Sequence, residues 1–307
     1  MKKEKLQKRK VTLKNTWPLH LMLFPGILIL FVYTVLPFAG NIMAFQDFQP
    51  ILGFFKSRWV GLDNFIYMFQ LPDTFQIFRN TLIIAVGKIV LNLVMSIIFA
   101  ILLYEAAGKR FKKSVQTICF LPHFLSWVIL ATIFRDILDG GGVLNQILLN
   151  LGLIDEPILF LGSNSLFQGI IIGTDVWKEF GYGAIIFIAA LAGINQELYE
   201  AAAIDGANRL KRIWYITLPG IKVTVVLVAT LNVANVLNAG FDQVYNMYSP
   251  IVYETGDIID TYVYRMSFES AQYSLATAVG ILKSVVSFLL IITSNYLARK
   301  FANYRIF

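Results

Sequence analysis

Six long apolar stretches dominate this chain of 307 residues and constrain what it can fold into. They cover approximately residues 19–40, 78–104, 115–138, 166–193, 220–244 and 274–298. Each is close to the ~20 residues that a helix needs to cross the ~30 Å hydrocarbon core of a bilayer. Hydrophobic residues make up 57% of the chain and charged residues only 15%, which excludes an ordinary soluble domain. The stretches predict an all-α membrane protein with six transmembrane helices.

A basic segment, MKKEKLQKRK, precedes the first apolar stretch, as it would in a signal peptide. The apolar run that follows is longer than the ~7–15 residues of a signal sequence, and no small-residue cleavage site ends it. We therefore expect an uncleaved first span. The predicted organisation is a basic tail at 1–18, a single membrane domain at 19–300 and a short tail at 301–307.

Lys and Arg are distributed unequally between the two sides of the predicted spans. Seventeen lie in the two tails and in the second and fourth loops, whereas four lie in the other loops. Cytoplasmic loops are enriched in these residues, so both termini are predicted to be cytoplasmic. The net charge of +7 is then a consequence of topology, and we expect no nucleic-acid partner.

A polar segment, EAAAIDGANRLKRIWYITLP at 200–219, separates the fourth apolar stretch from the fifth. Its glutamate and alanines predict a short helix that ends near Gly206 and Asn208, and RLKRIWY places cations and rings at headgroup level. Its small side chains would let another backbone approach closely. From these residues alone, the segment is either a docking site for a cytoplasmic partner or a helix packed on the membrane surface.

The same segment resembles the signature of permease subunits of binding-protein-dependent ABC importers. The signature is Glu-Ala-Ala, three residues, Gly, nine residues and Ile-x-Leu-Pro, and its positions here are Glu200, Ala201, Ala202, Gly206, Ile216, Leu218 and Pro219. The sequence Asp205-Gly206-Ala207 within the signature resembles the carbohydrate branch in particular. Val223 stands where that branch often has a second proline. WVGLDNF at 59–65, RNTL at 79–82 and the segment 241–268 extend the resemblance to about residues 40–300.

The resemblance implies the fold of a type I ABC importer permease in a bacterial plasma membrane. It also implies that 195–219 is a coupling loop docked on a separate cytoplasmic ATP-binding subunit, with Glu200 and Asp205 as the expected contacts. The other implied partners are a second permease subunit and an extracytoplasmic binding protein. Because the sugar branch usually pairs two different permeases, we expect the second permease to be a different chain. The implied cargo is an oligosaccharide; a sugar phosphate, an acidic saccharide, a polyamine or a peptide are alternatives.

Motifs for catalysis and for metal binding are missing from the sequence. It contains neither a G-x-x-x-x-G-K-[ST] phosphate-binding loop nor an H-E-x-x-H zinc site, and it has one cysteine, Cys119. We therefore expect this chain not to be an enzyme and to bind no cofactor, with ATP and Mg on the partner subunit. A secondary transporter stays open as an alternative, although repeated interrupted helices are not evident.

Polar residues inside the apolar stretches are candidates for a substrate pathway, because such residues usually face a cavity or a partner. In the fourth stretch, Asp175, Glu179 and Tyr182 fall on one helical face. Lys178 can reach Asp175 or Tyr182, and Trp177 adds a ring that suits stacking on sugars. In the fifth stretch, four side chains form one stripe of a continuous helix: Asn232, Asn235, Asn238 and Asp242. Either set could instead bond to neighbouring helices.

The second and third stretches carry further polar groups. Lys88, Asn92 and Ser96 share one face of the second stretch, where packing between helices is the favoured role. In the third stretch, LPHFLSW places His123 and Trp127 one turn apart, and both are candidates for the pathway. A hydrogen-bonded packing role is favoured for the histidine, which is too isolated for a metal site.

The last outer loop, 245–273, is rich in tyrosines and acids. The tyrosines suit an aromatic belt at the membrane surface. The acids suit the docking of a binding protein. The sequence leaves both interpretations open.

Overall fold

The computed structural model describes residues 13–233 and 235–302, and most of them are helical. The basic residues of the N-terminal tail at 1–12 and the C-terminal residues 303–307 lie outside the described part. Two strands of two residues each, β1 (Gln46–Asp47) and β2 (Arg58–Trp59), pair in antiparallel orientation. In chain order, the α-helices are α1 (Leu13–Leu30), α2 (Leu36–Phe38), α3 (Gly53–Lys56), α4 (Asp63–Gln70), α5 (Pro72–Glu105), α6 (Lys109–Phe120), α7 (Trp127–Leu138), α8 (Val143–Asn150), α9 (Asn164–Ala192), α10 (Gln196–Ile204), α11 (Arg209–Arg212), α12 (Leu218–Val233), α13 (Phe241–Met247), α14 (Tyr253–Gly256), α15 (Ile259–Tyr264) and α16 (Tyr273–Ala302).

Between four and six helical segments could cross a membrane in the part of the chain that the structure describes. Four do so as single segments: Trp17–Phe45, Pro72–Glu105, Arg209–Val233 and Tyr273–Tyr296. Two further segments are bent pairs, Lys109–Phe124 with Trp127–Asn150 at 100° and Asn164–Ala192 with Gln196–Ile204 at 71°. Every apolar stretch of the sequence therefore corresponds to helical structure.

The third apolar stretch is broken, so the span expected over 115–138 is not one continuous helix. After α6 ends at Phe120, a 3₁₀ turn covers 121–124 and α7 begins at Trp127. Pro122 lacks a backbone N–H and disfavours a helical conformation at the residue before it. Ser126 then caps α7 by accepting a hydrogen bond from the Ile129 N–H at 3.4 Å.

The fifth apolar stretch is also interrupted, so a continuous helix over 220–244 is wrong. The α12 helix ends at Val233, and α13 begins only at Phe241. Gly240, which precedes α13, has a φ of +93°, a conformation that side chains with a Cβ rarely adopt. The asparagines of this stretch favour turns because their side chains compete for backbone hydrogen bonds.

The core is built around the pair α5 and α9. One buried cluster joins these two helices to α13, α15 and α16, with Ile84, Phe167 and Tyr262 among its largest members. A second cluster joins α5 and α9 to α12 and includes Phe187 and Ile221. The first span is different, because the most apolar 18 residues of Trp17–Phe45 include none that is buried against the rest of the described chain.

Candidate functional site: a polar cavity and an exposed loop

A cavity of about 750 Å³ lies between α5, α9 and α12. Its apolar lining comes from residues such as Leu93, Ile186 and Val228. Its polar lining converges from these helices and from the interrupted segment after α12: Lys88, Asn92, Ser96, Asp175, Glu179, Tyr182, Asn232, Asn235 and Asn238. A mostly apolar pocket with a few convergent polar groups is the usual form of a small-molecule site.

A buried ion pair at the cavity wall ties three helices together. Lys88 of α5 lies 3.3 Å from the Asp175 carboxylate of α9 and donates to the Ala239 carbonyl at 2.7 Å and to Gln243 of α13. Asn92 donates to the second Asp175 oxygen at 2.9 Å. A buried charge is tolerated in an apolar environment when it is paired and hydrogen-bonded, and both partners here meet that condition.

The expected pairing of Lys178 with Asp175 or Tyr182 is wrong. Lys178 donates instead to the Glu179 carboxylate and to the His123 carbonyl, both at 2.8 Å. Asp175 is already paired with Lys88 from the neighbouring helix. The reason lies in the fold: the broken third span brings its 3₁₀ turn against α9 and offers Lys178 a closer acceptor.

His123 is a hydrogen-bonded packing residue, as the sequence favoured. Its Nδ1 lies 2.7 Å from the Glu179 carboxylate, and its ring stacks on Tyr182 with centroids 3.8 Å apart and planes at 2°. Trp127 lies nearby, with its ring centroid 5.7 Å from Lys178 Nζ. This arrangement holds Glu179 and Tyr182, two lining residues, in fixed positions at the cavity.

The structure brings together most, but not all, of the predicted pathway residues. Trp177 does not line the cavity; it is 46% exposed on another face of α9, with its ring edge against Phe134. Asp242 is exposed on α13 and also lies outside the lining. Six candidates do line it: Asp175, Glu179, Tyr182, Asn232, Asn235 and Asn238.

The asparagines of the fifth stretch line the cavity from a backbone conformation that the sequence did not predict. Only Asn232 belongs to α12, whereas Asn235 and Asn238 lie in the turns that follow it. Turn-type bonds join these residues, from the Asn235 N–H to the Asn232 carbonyl at 3.0 Å and from the Asn238 N–H to the Asn235 carbonyl at 2.8 Å. The prediction that these residues form one face of a continuous helix is therefore wrong.

Gln243 is an important residue that the sequence interpretation missed. It is completely buried, accepts from Lys88, and donates to the Ile171 carbonyl at 2.7 Å and to Thr174 Oγ1 at 2.8 Å. These bonds fix the short α13 helix against α5 and α9. A glutamine inside an apolar stretch was a visible signal, because amides there usually bond between helices. Lys88, Asn92 and Ser96 confirm the interhelical packing role, the last by donating to the Phe180 carbonyl at 3.0 Å.

The polar segment between α9 and α12 folds as a capped, exposed helix. Asn195 caps α10 by accepting from the Glu197 N–H at 3.0 Å. At the other end, Gly206 has a φ of +75°, and the Ala207 N–H bonds back to the Ala202 carbonyl at 2.8 Å. This is a Schellman ending, in which a left-handed glycine satisfies the last carbonyls of a helix.

One face of this segment is exposed although it carries apolar groups. Ile204 at the end of α10 is 87% exposed and Leu210 of α11 is 67% exposed. Glu200, Asp205 and Gly206 are exposed beside Ile204, and no atom lies within 4 Å of a Cβ built on the glycine. Exposed apolar groups rimmed by polar ones are typical of surfaces that contact a partner or a membrane.

Tyr199 connects α10 to the membrane helices. It is buried, its hydroxyl lies 3.0 Å from Thr217 Oγ1, and its ring packs against Tyr104 near the end of α5. The Tyr104 hydroxyl in turn donates to the Gln196 side chain at 3.2 Å. Thr217 is buried and lies between the half-buried residues of the predicted motif, Ile216 and Leu218, with Pro219 in the first turn of α12.

Most of the aromatic and acidic residues of the outer loop have a structural explanation. Tyr248 and Tyr262 are buried, and Arg265 lies 4.1 Å from the ring centroid of Tyr253 while pairing with Asp257. Burial raises the pKa of Asp257 above its usual value, against the hydrogen bond from Thr261 and the charge of Arg265. These residues pack against one another, so neither an aromatic belt nor a docking surface is needed to explain them.

Comparison with known proteins assigns the chain to a family. Residues 93–303 match the family described as binding-protein-dependent transport system inner membrane component. This chain belongs to that family. It is therefore a permease subunit of a binding-protein-dependent transport system, with several membrane-spanning helices. The match includes α9, α10 and α12, which carry much of the cavity and the exposed loop.

Two relatives in this permease family come from Bacillus subtilis (strain 168). Protein LplB is 42% identical over 94% of this chain and 90% of its own length. The polygalacturonan/rhamnogalacturonan transport system permease protein YteP is 38% identical over 98% of this chain and 93% of its own length. The family and its type of fold thus extend over nearly the whole chain.

Solved structures agree with this assignment. A chain of a bacterial ABC transporter involved in the import of the acidic polysaccharide alginate matches with a TM-score of 0.86 and 35% identity, over 94% of this chain and 97% of the other. A chain of a bacterial alginate ABC transporter in complex with an alginate pentasaccharide-bound periplasmic protein matches with a TM-score of 0.86 and 34% identity, over 96% and 98%. The fold is that of a type I ABC importer permease.

Proposed function

We propose that this chain forms one half of the translocation pathway of an ATP-driven oligosaccharide importer. The observation that carries the proposal is the connection between the exposed loop and the polar cavity. Tyr199 of α10 bonds to Thr217, which directly precedes α12, and α12 lines the cavity near its other end with Asn232. A movement of α10 would therefore be carried along α12 to the cavity wall.

The motor in this proposal is a separate cytoplasmic ATP-binding subunit. The loop at 195–219 is its docking site, with Glu200 and Asp205 as polar contacts and the alanines and Ile204 as the apolar contact. Gly206 leaves the space above the end of α10 open to a partner's backbone. Closure of the motor on ATP would move α10 and switch the cavity from outward-facing to inward-facing access.

An oligosaccharide cargo is supported by the chemistry of the cavity and by the relatives. Amide and hydroxyl groups from Asn92, Ser96 and the asparagines after α12 can donate to and accept from sugar hydroxyls. Asn92 Oδ1 is a buried acceptor that has no hydrogen-bond partner within the described residues. Two relatives named above are linked by name or title to carbohydrate polymers.

Two other partners complete the proposed importer. A second permease, which we propose is a different polypeptide, would supply the other half of the pathway. An extracytoplasmic binding protein would deliver the saccharide, as a periplasmic protein is present in one of the matching structures. In this arrangement both termini and α10 are cytoplasmic, which agrees with the distribution of Lys and Arg.

Co-purification tests this function. The chain is extracted in mild detergent, and the accompanying polypeptides are identified by mass. We expect a soluble chain with a phosphate-binding loop and a second permease. The complex should hydrolyse ATP faster when it is given a binding protein loaded with a transported saccharide. A chain that purifies alone and transports alone would contradict the proposal and favour a secondary transporter.

A further inference from the structure

Four aromatic rings form a continuous row on α13, α15 and the turn that follows α15. Phe241 and Tyr245 of α13 stack at 5.2 Å, Tyr245 meets Tyr264 of α15 at 4.9 Å, and Tyr264 meets Phe268 at 5.1 Å. We refer to these four residues as the aromatic strip. Each of the two pairs is spaced by four residues, which places its rings on one helical face.

The aromatic strip lies at the edge of the core, where Tyr245 packs against the buried cluster and its outer side is exposed. None of its four rings is buried, and Phe268 is 74% exposed. The opposite faces of the same helices are completely different, because Val244, Met247 and Tyr262 have at most 2% exposure. The fold therefore buries one face of each helix fully and leaves the aromatic face partly exposed, most of all at Phe268. Aromatic side chains contribute large apolar areas when they are buried, so a row of partly exposed rings is suited to contact with a ligand or partner.

The strip begins close along the chain to the cavity lining. Asn238 lines the cavity, and Phe241 begins three residues later. The helices that carry the strip are attached to the first half of α5, since Gln243 bonds Lys88 and the Ile259 N–H bonds Thr81 Oγ1 at 2.9 Å. The exposed loop is attached at the other end of α5, through Tyr104. The strip thus leads away from the cavity on the side opposite α10.

Polar groups flank the rings in a way that does not suit contact with lipid. Asp242 is exposed next to Phe241, and Glu269 is exposed next to Phe268. A carboxylate in contact with hydrocarbon is costly, so a surface carrying acids at both ends is a poor lipid-facing surface. Rings bordered by carboxylates instead offer stacking faces together with acceptors for hydroxyl groups.

We propose that the aromatic strip is a binding track for the pyranose rings of the oligosaccharide between the outer side of the membrane and the cavity. One face of a pyranose carries polarised C–H groups that suit the negative face of an aromatic ring. Its hydroxyls, at the edge, would bond to Asp242 and Glu269. This inference rests on the proposed function, because it assumes a saccharide cargo and the same outer side.

Photolabelling of the intact complex tests the track. Diazirine-bearing oligogalacturonides and neutral galactan oligosaccharides are the probes, and labelled peptides are identified by mass. We expect label on peptides covering 241–268 as well as on the cavity segment. In Phe268→Leu, labelling of the strip should fall about tenfold, the change that ~1.4 kcal/mol of lost binding produces. Leucine keeps the apolar bulk and removes only the aromatic face.

A matched control separates stacking from general apolar contact. Phe288→Leu replaces a ring of α16 that is 62% exposed and far along the chain from the strip, so strip labelling should not change. Because Phe268 is exposed, its replacement should leave assembly of the complex intact, which co-purification checks. If assembly is lost in Phe268→Leu, the strip is an interface between subunits and the track is wrong.

The outcomes distinguish the track from the function on which it rests. Label on the cavity segment alone, or unchanged strip labelling in Phe268→Leu, would overturn the track and leave the importer standing. If no probe labels the complex and none stimulates its ATPase through the binding protein, the saccharide cargo and the track both fail.

Discussion

The hydroxyl of Tyr199 lies 3.0 Å from Thr217 Oγ1, and this bond joins the exposed α10 helix to the start of α12. Both residues are buried although they border an exposed loop. In the proposed importer, this contact would transmit a movement of α10 to α12.

Replacing Tyr199 by Phe should weaken coupling without removing the helix. The ring packing on Tyr104 is kept, and only the bond to Thr217 is lost, at a cost of about 1 kcal/mol in the free energy of unfolding. We expect more ATP hydrolysed per saccharide imported, measured in proteoliposomes. Thr217→Val should act in the same way, and the two changes together should be less than additive. Strictly additive effects would show that the bond is not what connects the two helices.

Gly206→Asp should abolish uptake while leaving the subunit in the membrane, because a charged side chain would fill the space left for a partner. The backbone conformation needs separate control, since φ is +75°. Gly206→Asn and Gly206→Ala are the controls: Asn adopts this conformation more readily than Ala, for which the cost is about 1–2 kcal/mol. Uptake and membrane content are compared for all three variants. Normal uptake in Gly206→Asp would contradict the docking assignment. Normal uptake in Gly206→Asn would show that the glycine is needed only for its backbone conformation.

The Lys88–Asp175 pair should be far more sensitive to single than to double replacement. Lys88→Met or Asp175→Asn alone leaves a buried charge without its partner and should cost about 3–5 kcal/mol. The double variant removes both charges and should recover much of this loss. Thermal unfolding of the detergent-purified subunit measures the difference. If the double variant is as unstable as the worse single one, the pair is not the reason for the sensitivity.

Gly181→Ala should disrupt the packing of the broken third span on α9. A Cβ at this position would lie 2.1 Å from the Cys119 carbonyl oxygen, a backbone atom that cannot rotate away. Overpacking of this kind costs about 1–3 kcal/mol or more. Gly173→Ala is the matched control on the same helix, because within the described part of the chain its Cβ would meet no group outside its own helical turn. Equal stability of the two variants would contradict the close packing.

The sequence was sufficient for the fold class but not for the breaks within the spans. Hydropathy averages over about 20 residues, so it located all six apolar stretches, while helix propensity and the ending residues located the loop helix at Glu200. It does not respond to the bend at Pro122 or to the left-handed Gly240. The same asparagines that suggested a helical stripe are turn-forming residues, and that property decided the backbone after Val233.

Side-chain partners between helices were predicted less well, for a related reason. Spacing along one helix made Lys178 a partner for Asp175, yet the partner is Lys88 from another helix. Such pairings depend on how helices are rotated against one another, and periodicity along a single helix carries no such information. The predicted residues of α9 that line the cavity, such as Glu179 and Tyr182, lie on the single helical face that their spacing defines, and their role in the pathway stays a prediction.

The most direct test of the account is uptake into proteoliposomes that contain the purified complex, with ATP enclosed and the loaded binding protein outside. We predict saccharide uptake that requires ATP, persists when a protonophore removes the ion gradient, and is lost in Gly206→Asp. Uptake that proceeds without ATP and collapses with the protonophore would contradict the account and identify a gradient-driven transporter instead.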